Sequence, residues 1–193
     1  MTIQRTPMTT SGLSKDTTGK VRLALKRVLT VAIVIFGPIG VGTLLGVRLN
    51  LSESLPLGLY VVTRSTNANL VEFCPDGQAA QLSRERDYRH VGTCPDGRTP
   101  LLKPVVARAG DFVEVSSHGI AVNGRLLPNT APKRCDSRGR PLRAWPLGTY
   151  TVPSGYVWVA SAYNPASFDS RYYGPIALAL VRHSLRPLWT FSH

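Results

Sequence analysis

The chain has 193 residues, 23 Lys and Arg against 11 Asp and Glu, and a net charge of +12. An apolar share of 43% excludes disorder of the whole chain, and three cysteines without a Cys-x-x-Cys pair exclude a zinc cage. No basic stretch is interleaved with aromatics, so no nucleic-acid partner is expected, and the excess charge suits anionic headgroups or a solvated basic face.

Residues 1–19, rich in Thr, Ser, Gly and Lys without periodicity, read as a disordered cytoplasmic tail. The segment 20–49 follows as a transmembrane anchor. Its uncharged run from Val28 to Val47 is long enough to cross a hydrocarbon core of roughly 30 Å at about 1.5 Å per residue. Seven Lys and Arg but only one acid, Asp16, precede residue 51, and six of the seven come before the run. That asymmetry places the N-terminus in the cytoplasm and the rest across the membrane, by the positive-inside rule. An uncleaved signal is the alternative for the same run, since no Ala-x-Ala site follows it.

Residues 50–193 form one domain of a size that suits a single core. Short β-favouring segments appear at Leu59–Thr63, Leu70–Phe73, Leu101–Arg108, Phe112–Ser116, Ile120–Val122, Thr149–Val152 and Tyr156–Ser161, punctuated by Gly, Pro, Asn and Asp. Asn123-Gly124 predicts a tight hairpin. Two polar stretches, near 74–100 and 129–146, lack strand character and read as insertions between strands. The fold class is mainly β, a coiled sheet or barrel on one N-terminal transmembrane helix. Cys74 and Cys94 each open a Cys-Pro-Asp-Gly turn, which makes them the favoured disulfide in an oxidising compartment and leaves Cys135 over.

Three places carry candidate chemistry. Ser54 stands in a Pro/Gly turn just after the apolar run, a setting that an ordinary turn also explains. Lys103 interrupts the apolar stretch Leu101–Ala107. It reads either as a snorkelling lysine on an edge strand, which Pro104 supports, or as a desolvated amine able to act as a base. Ser167, Asp169 and Arg171 alternate, so an extended segment would put them on one face, and Asp169 with Arg171 would equally make a structural ion pair. None of the four histidines has a convincing partner, and no set of metal ligands or cofactor motif appears. A Ser–Lys pair is therefore the more economical nucleophile and base.

In order, these stretches resemble the signal peptidase family of serine proteases, and most closely its TraF-type branch of conjugal transfer peptidases. Ser54-Leu-Pro-Leu-Gly-Leu-Tyr60 is similar to that branch's nucleophile box. Leu102-Lys-Pro-Val-Val-Ala-Arg-Ala-Gly-Asp111 is similar to the lysine box, and Ser167-Phe-Asp-Ser-Arg-Tyr-Tyr-Gly174 to the Ser-x-Asp-Ser-Arg-Tyr-x-Gly box. The resemblance implies Ser54 as nucleophile, Lys103 as general base and Asp169 as a further residue needed for activity. It further implies that Arg171 pairs with Asp169, that Ser167 hydrogen-bonds the lysine, and that Ser52 helps to bind the oxyanion. It implies no metal or cofactor, and a substrate that is a membrane-anchored, pilin-like precursor, cut and in some members cyclised. The expected location is the bacterial inner membrane, with the catalytic domain periplasmic. A general type I signal peptidase is the alternative, and a non-catalytic scaffold of a conjugation or secretion channel a more distant one.

Overall fold

A computed structural model describes residues 15–65 and 67–191. The chain divides into two compact units, one ending at Leu45 and the other spanning Gly46–His193. The first unit is one long helix, α1 (Lys15–Leu44). It begins inside the stretch expected to be a disordered tail, because a helix nucleated in the apolar run propagates readily into the polar residues before it. The rest of that expected tail, residues 1–14, lies outside the described residues. Among the described residues no helix is long and apolar enough to cross a membrane. The helix also stops short of the expected anchor's end, and Val47–Asn50 pair as a strand instead.

The second unit is mainly β. Its strands are β1 (Val47–Asn50), β2 (Gly58–Thr63), β3 (Leu70–Phe73), β4 (Leu101–Ala107), β5 (Phe112–Ser116) and β6 (Gly119–Val122), then β7 (Arg125–Leu126), β8 (Gly148–Thr151), β9 (Tyr156–Val159), β10 (Ile176–Ala177) and β11 (Val181–Thr190). They form two antiparallel sheets, in keeping with the mainly β class expected. The seven-stranded sheet has the order β1-β2-β11-β3-β4-β9-β10, and the four-stranded sheet β7-β6-β5-β8. Two short helices lie between strands of the larger sheet, α2 (Gly77–Glu85) between β3 and β4 and α3 (Ser170–Tyr173) between β9 and β10.

Local chemistry accounts for these elements. At the predicted hairpin, Asn123 and Gly124 both take positive φ, 50° and 81°, as a two-residue turn that follows strand twist requires. Val122 then faces Arg125 across the turn. Strand β9 is buried on both faces. Val157 and Val159 pack with Val71, Phe73 and Ile176, whereas Trp158 and Ala160 pack with Val113, Val115 and Ile120 of the smaller sheet. The lysine box ends in a turn that passes from one sheet to the other. Gly110 has φ 91°, and Asp111 accepts from Arg108 N at 2.7 Å and from Asn123 Nδ2 at 2.9 Å.

Both insertions are more ordered than polar loops. The first holds α2, whose Ala79 and Ser83 lie one turn apart on the buried side. Buried Arg89 caps this insertion, donating to Ser83 Oγ at 2.8 Å and pairing with Asp96. Cys74 and Cys94 are disulfide-bonded, and Cys135 is a free, exposed thiol.

Candidate active site

The turn that carries Ser54 is held by side chains on either side of it. Asn50, at the end of β1, donates through Nδ2 to the carbonyls of Ser52 at 2.9 Å and Pro56 at 3.2 Å, while its Oδ1 accepts from Ser52 N at 3.1 Å. Tyr60, on β2, donates to Pro56 O at 2.7 Å. Leu55 packs into a small core with Tyr60 and Leu185. Gly58 has φ 149°, and a Cβ there would lie 2.2 Å from Trp189 O on β11. The serine, glycine and tyrosine of the nucleophile box thus belong to one turn, each fixed by a different contact.

Lys103 lies in β4 opposite Val71 and is 3% exposed. Strand β4 is not an edge, because β3 and β9 flank it. Pro104 is accommodated where the β4–β9 ladder ends, its carbonyl accepting from Ala160 N at 3.1 Å. The amine therefore does not snorkel. Nζ lies 2.6 Å from Ser54 Oγ and 2.7 Å from Ser167 Oγ, and the two hydroxyl oxygens are 3.3 Å apart. All three side chains are buried. Burial lowers the Lys103 pKa from 10.5 to about 8; the charge of Asp169 opposes that shift and the charge of Arg171 assists it.

Ser52 sits beside Ser54, its Oγ accepting from Ser54 N at 3.4 Å. That bond is long, so the N–H and the Ser52 hydroxyl are two groups at one spot that a stronger acceptor can recruit.

Asp169 and Arg171 form a fully buried pair, with Arg171 Nε donating to Asp169 Oδ1 at 2.8 Å and Nη2 to Oδ2 at 3.0 Å. The segment is not extended as expected. Asp169 caps α3 by accepting from Arg171 N, and the helix turn brings the guanidinium back over its own carboxylate. Asp169 thus stands behind Ser54 and Lys103 and hydrogen-bonds neither. Its link is Ser161, whose N donates to Asp169 Oδ2 at 2.9 Å while its Oγ donates to the Ser54 carbonyl at 2.6 Å. Arg171 adds a bond to Ser161 O at 2.9 Å.

Sequence reasoning missed Ser161 and Asn50. Both act through backbone groups, and Ser161 is 107 residues from its partner, so no local pattern marks it. Ser54 and Lys103 open onto a cleft of about 470 Å³, walled by Tyr88, Phe168, Tyr172 and residues of the second insertion.

A hydroxyl next to an amine that burial disposes to lose its proton is the minimum equipment for acyl transfer. The profile described as signal peptidase, peptidase S26, matches residues 21–189, and the chain belongs to that family. It is 36% identical over 149 residues to a plasmid transfer protein TraF of Escherichia coli, covering 76% of this chain and 84% of the relative. Identity is 38% over 186 residues to a probable conjugal transfer protein TraF of Sinorhizobium fredii, covering 93% and 95%. A crystal structure of a signal peptidase I from Enterococcus faecalis V583 aligns at 20% identity with a TM-score of 0.36, over 65% of this chain and 99% of that one.

Proposed function

We propose that this chain is a serine endopeptidase that cleaves a pilin-like precursor for conjugative transfer, with Ser54 as nucleophile and Lys103 as general base. The observation that carries this reading is the 2.6 Å approach of a buried amine to the Ser54 hydroxyl. At pH 7 an amine with a pKa near 8 is neutral in roughly a tenth of molecules, whereas an ordinary lysine is almost never so. Neutral Lys103 donates to Ser167 Oγ and accepts the Ser54 proton as Oγ attacks the scissile carbonyl carbon. The oxyanion is met by Ser54 N–H and the Ser52 hydroxyl; one such donor is typically worth about 2.7–4 kcal/mol. Lys103 then passes its proton to the leaving amine as the C–N bond breaks. Water attacks the acyl-enzyme to release an acid, or the precursor's own N-terminal amine attacks to close a ring.

The names of the TraF relatives support conjugation as the setting. The uncharged run from Val28 to Val47, with its basic N-terminal flank, supports a tether at the bacterial inner membrane and a periplasmic catalytic body. The test is to express the parent, Ser54→Ala and Lys103→Met beside conjugative pilin precursors and to weigh the products by mass spectrometry. The parent yields a shortened product, and loss of one further water marks ring closure. Both variants leave the precursor intact. Normal processing by either variant overturns the mechanism.

A further inference from the structure

The second insertion carries five basic residues, Lys133, Arg134, Arg138, Arg140 and Arg143, against one acid, Asp136. That acid is already spent. Asp136 accepts from Tyr88 Oη at 2.7 Å and Arg140 Nε at 2.8 Å, and its other oxygen takes the backbone N–H groups of Arg138 and Arg140. Burial raises its pKa, but the bond from Tyr88 and those from Arg138 and Arg140 outweigh it and hold the carboxyl well below the usual range. Two further bonds fasten the strap to the first insertion, Arg86 Nη2 to Pro141 O at 2.8 Å and Arg140 Nη2 to Arg86 O at 3.1 Å. The remaining cations, Lys133, Arg134, Arg138 and Arg143, are exposed, and among the described residues none of them has an ion pair. A flexible basic loop is usually only a solvated face, but this one is pinned at its acid. It also forms a wall of the nucleophile's own cleft, through Lys133, Cys135 and Ser137.

We propose that this strap is a docking surface for an acidic segment of the precursor, next to the bond that Ser54 attacks. The inference rests on the peptidase reading for the identity of its occupant. A chain that lies in the cleft and leaves along this wall passes over the exposed guanidinium groups, whose forked donors match carboxylates. Precursors with Asp or Glu beside the cut are thereby held in place, and those without are disfavoured.

Cys135 supplies the reporter, since it is the free thiol of the strap and Cys74 and Cys94 are bonded to each other. The full-length protein in detergent is treated with an uncharged maleimide, alone or with a peptide of alternating Glu and Ser, or with its Gln–Ser counterpart. Anisotropy of the labelled peptides gives the affinities. The acidic peptide is expected to bind and to slow alkylation of Cys135, and the Gln–Ser peptide to do neither. The triple variant R134Q/R138Q/R143Q, checked for an unchanged thermal midpoint, weakens acidic-peptide binding about tenfold, the effect of three exposed ion pairs. Equal binding of both peptides, or a triple variant that binds the acidic one as well as the parent, overturns the proposal. So does protection of Cys135 by phosphatidylglycerol vesicles but not by the acidic peptide, which would make the strap a membrane contact. The binding test needs no turnover, so its failure leaves the peptidase reading intact, and inactivity of the parent leaves the binding result readable.

Discussion

Lys103 sets the pH response of the site. Its folded pKa, about 8, lies below the ordinary 10.5 because the charged form is desolvated. Cleavage by the parent should rise about tenfold per pH unit up to roughly pH 8 and then level, as the neutral amine becomes the dominant form. Stability follows the same group with a definite sign. Below pH 8 the amine is charged in both folded and unfolded chains, and the fold bears the full cost of burying that charge. Between about 8 and 10.5 the unfolded chain binds more protons, so this group's contribution to stability improves as pH rises. Lys103→Met should therefore melt at a higher temperature than the parent at pH 7, with the gap closing towards pH 10.5, in paired thermal scans. Ser161 belongs to the same scale as a positioning residue, since it reaches Ser54 only through the carbonyl oxygen. Ser161→Ala should lower kcat about tenfold, the worth of one buried hydrogen bond, and leave KM unchanged. A matching rise in KM would mean a general loosening of the cleft instead. Here the sequence was informative about side chains in motif-bearing settings and silent about two that brace the Ser54 turn. Ser54, Lys103, Ser167, Asp169 and Arg171 stand in odd or motif-bearing settings, whereas Asn50 and Ser161 look like any turn residue.

Among the elements, the nucleophile turn makes the clearest case for a backbone constraint. Gly58 lies where β2 and β11 approach so closely that an added Cβ would overlap Trp189 O and the Thr190 Cα. Gly58→Ala must part those strands or twist the Ser54 turn, so it should destabilise the protein by about 1–3 kcal/mol in urea titrations and cut turnover with it. Full stability with full activity would show the turn to be looser than its contacts imply. The insertions fall between strands as expected, β3 and β4 for the first and β7 and β8 for the second, but the first also holds a helix. Strand alternation is absent from both, yet α2 forms because Ala79 and Ser83 give it a narrow buried stripe, and the disulfide closes the loop that contains it. Opening the Cys74–Cys94 bond should cost about 3 kcal/mol by the chain-entropy estimate. Tyr88 lies inside that loop and packs at a tilt against Phe168 with ring centroids 5.1 Å apart, so reduction should also loosen the cleft wall. Melting temperature and cleavage rate should fall together with added reductant, and in a Cys74→Ala/Cys94→Ala variant.

On the scale of the whole β unit, seven of its eleven strands match segments predicted from β-favouring runs, most to within a residue at each end. The exceptions have physical causes. Strand β1 was assigned to the anchor 20–49, β7 was foreseen only as the return arm of the Asn123-Gly124 hairpin, β10 is two residues long, and β11 hides its pattern. Of its ten residues only Leu185 is buried, Pro187 interrupts it, and the pairing shifts register between Pro187 and Trp189. No period of two survives such a sequence. Yet β11 lies between β2, which follows the Ser54 turn, and β3, which pairs with the strand of Lys103. Ser54 and Lys103 are 49 residues apart in sequence, and Ser167, whose hydroxyl also meets the amine, is 64 further along from the lysine. Nothing local brings these together; β11, inside the large sheet, links their strands. A chain ending at residue 180 keeps all three boxes and every proposed catalytic side chain, but it splits the large sheet into a β1–β2 hairpin and a β3–β4–β9–β10 remnant. An isolated hairpin is marginal in water. This truncation should abolish cleavage and lose the cooperative melting transition, whereas one ending at residue 191 should keep both. If the shorter chain still cleaved, the Ser54 turn would have to be held by the body without β11, and the topology that joins nucleophile to base would be wrong.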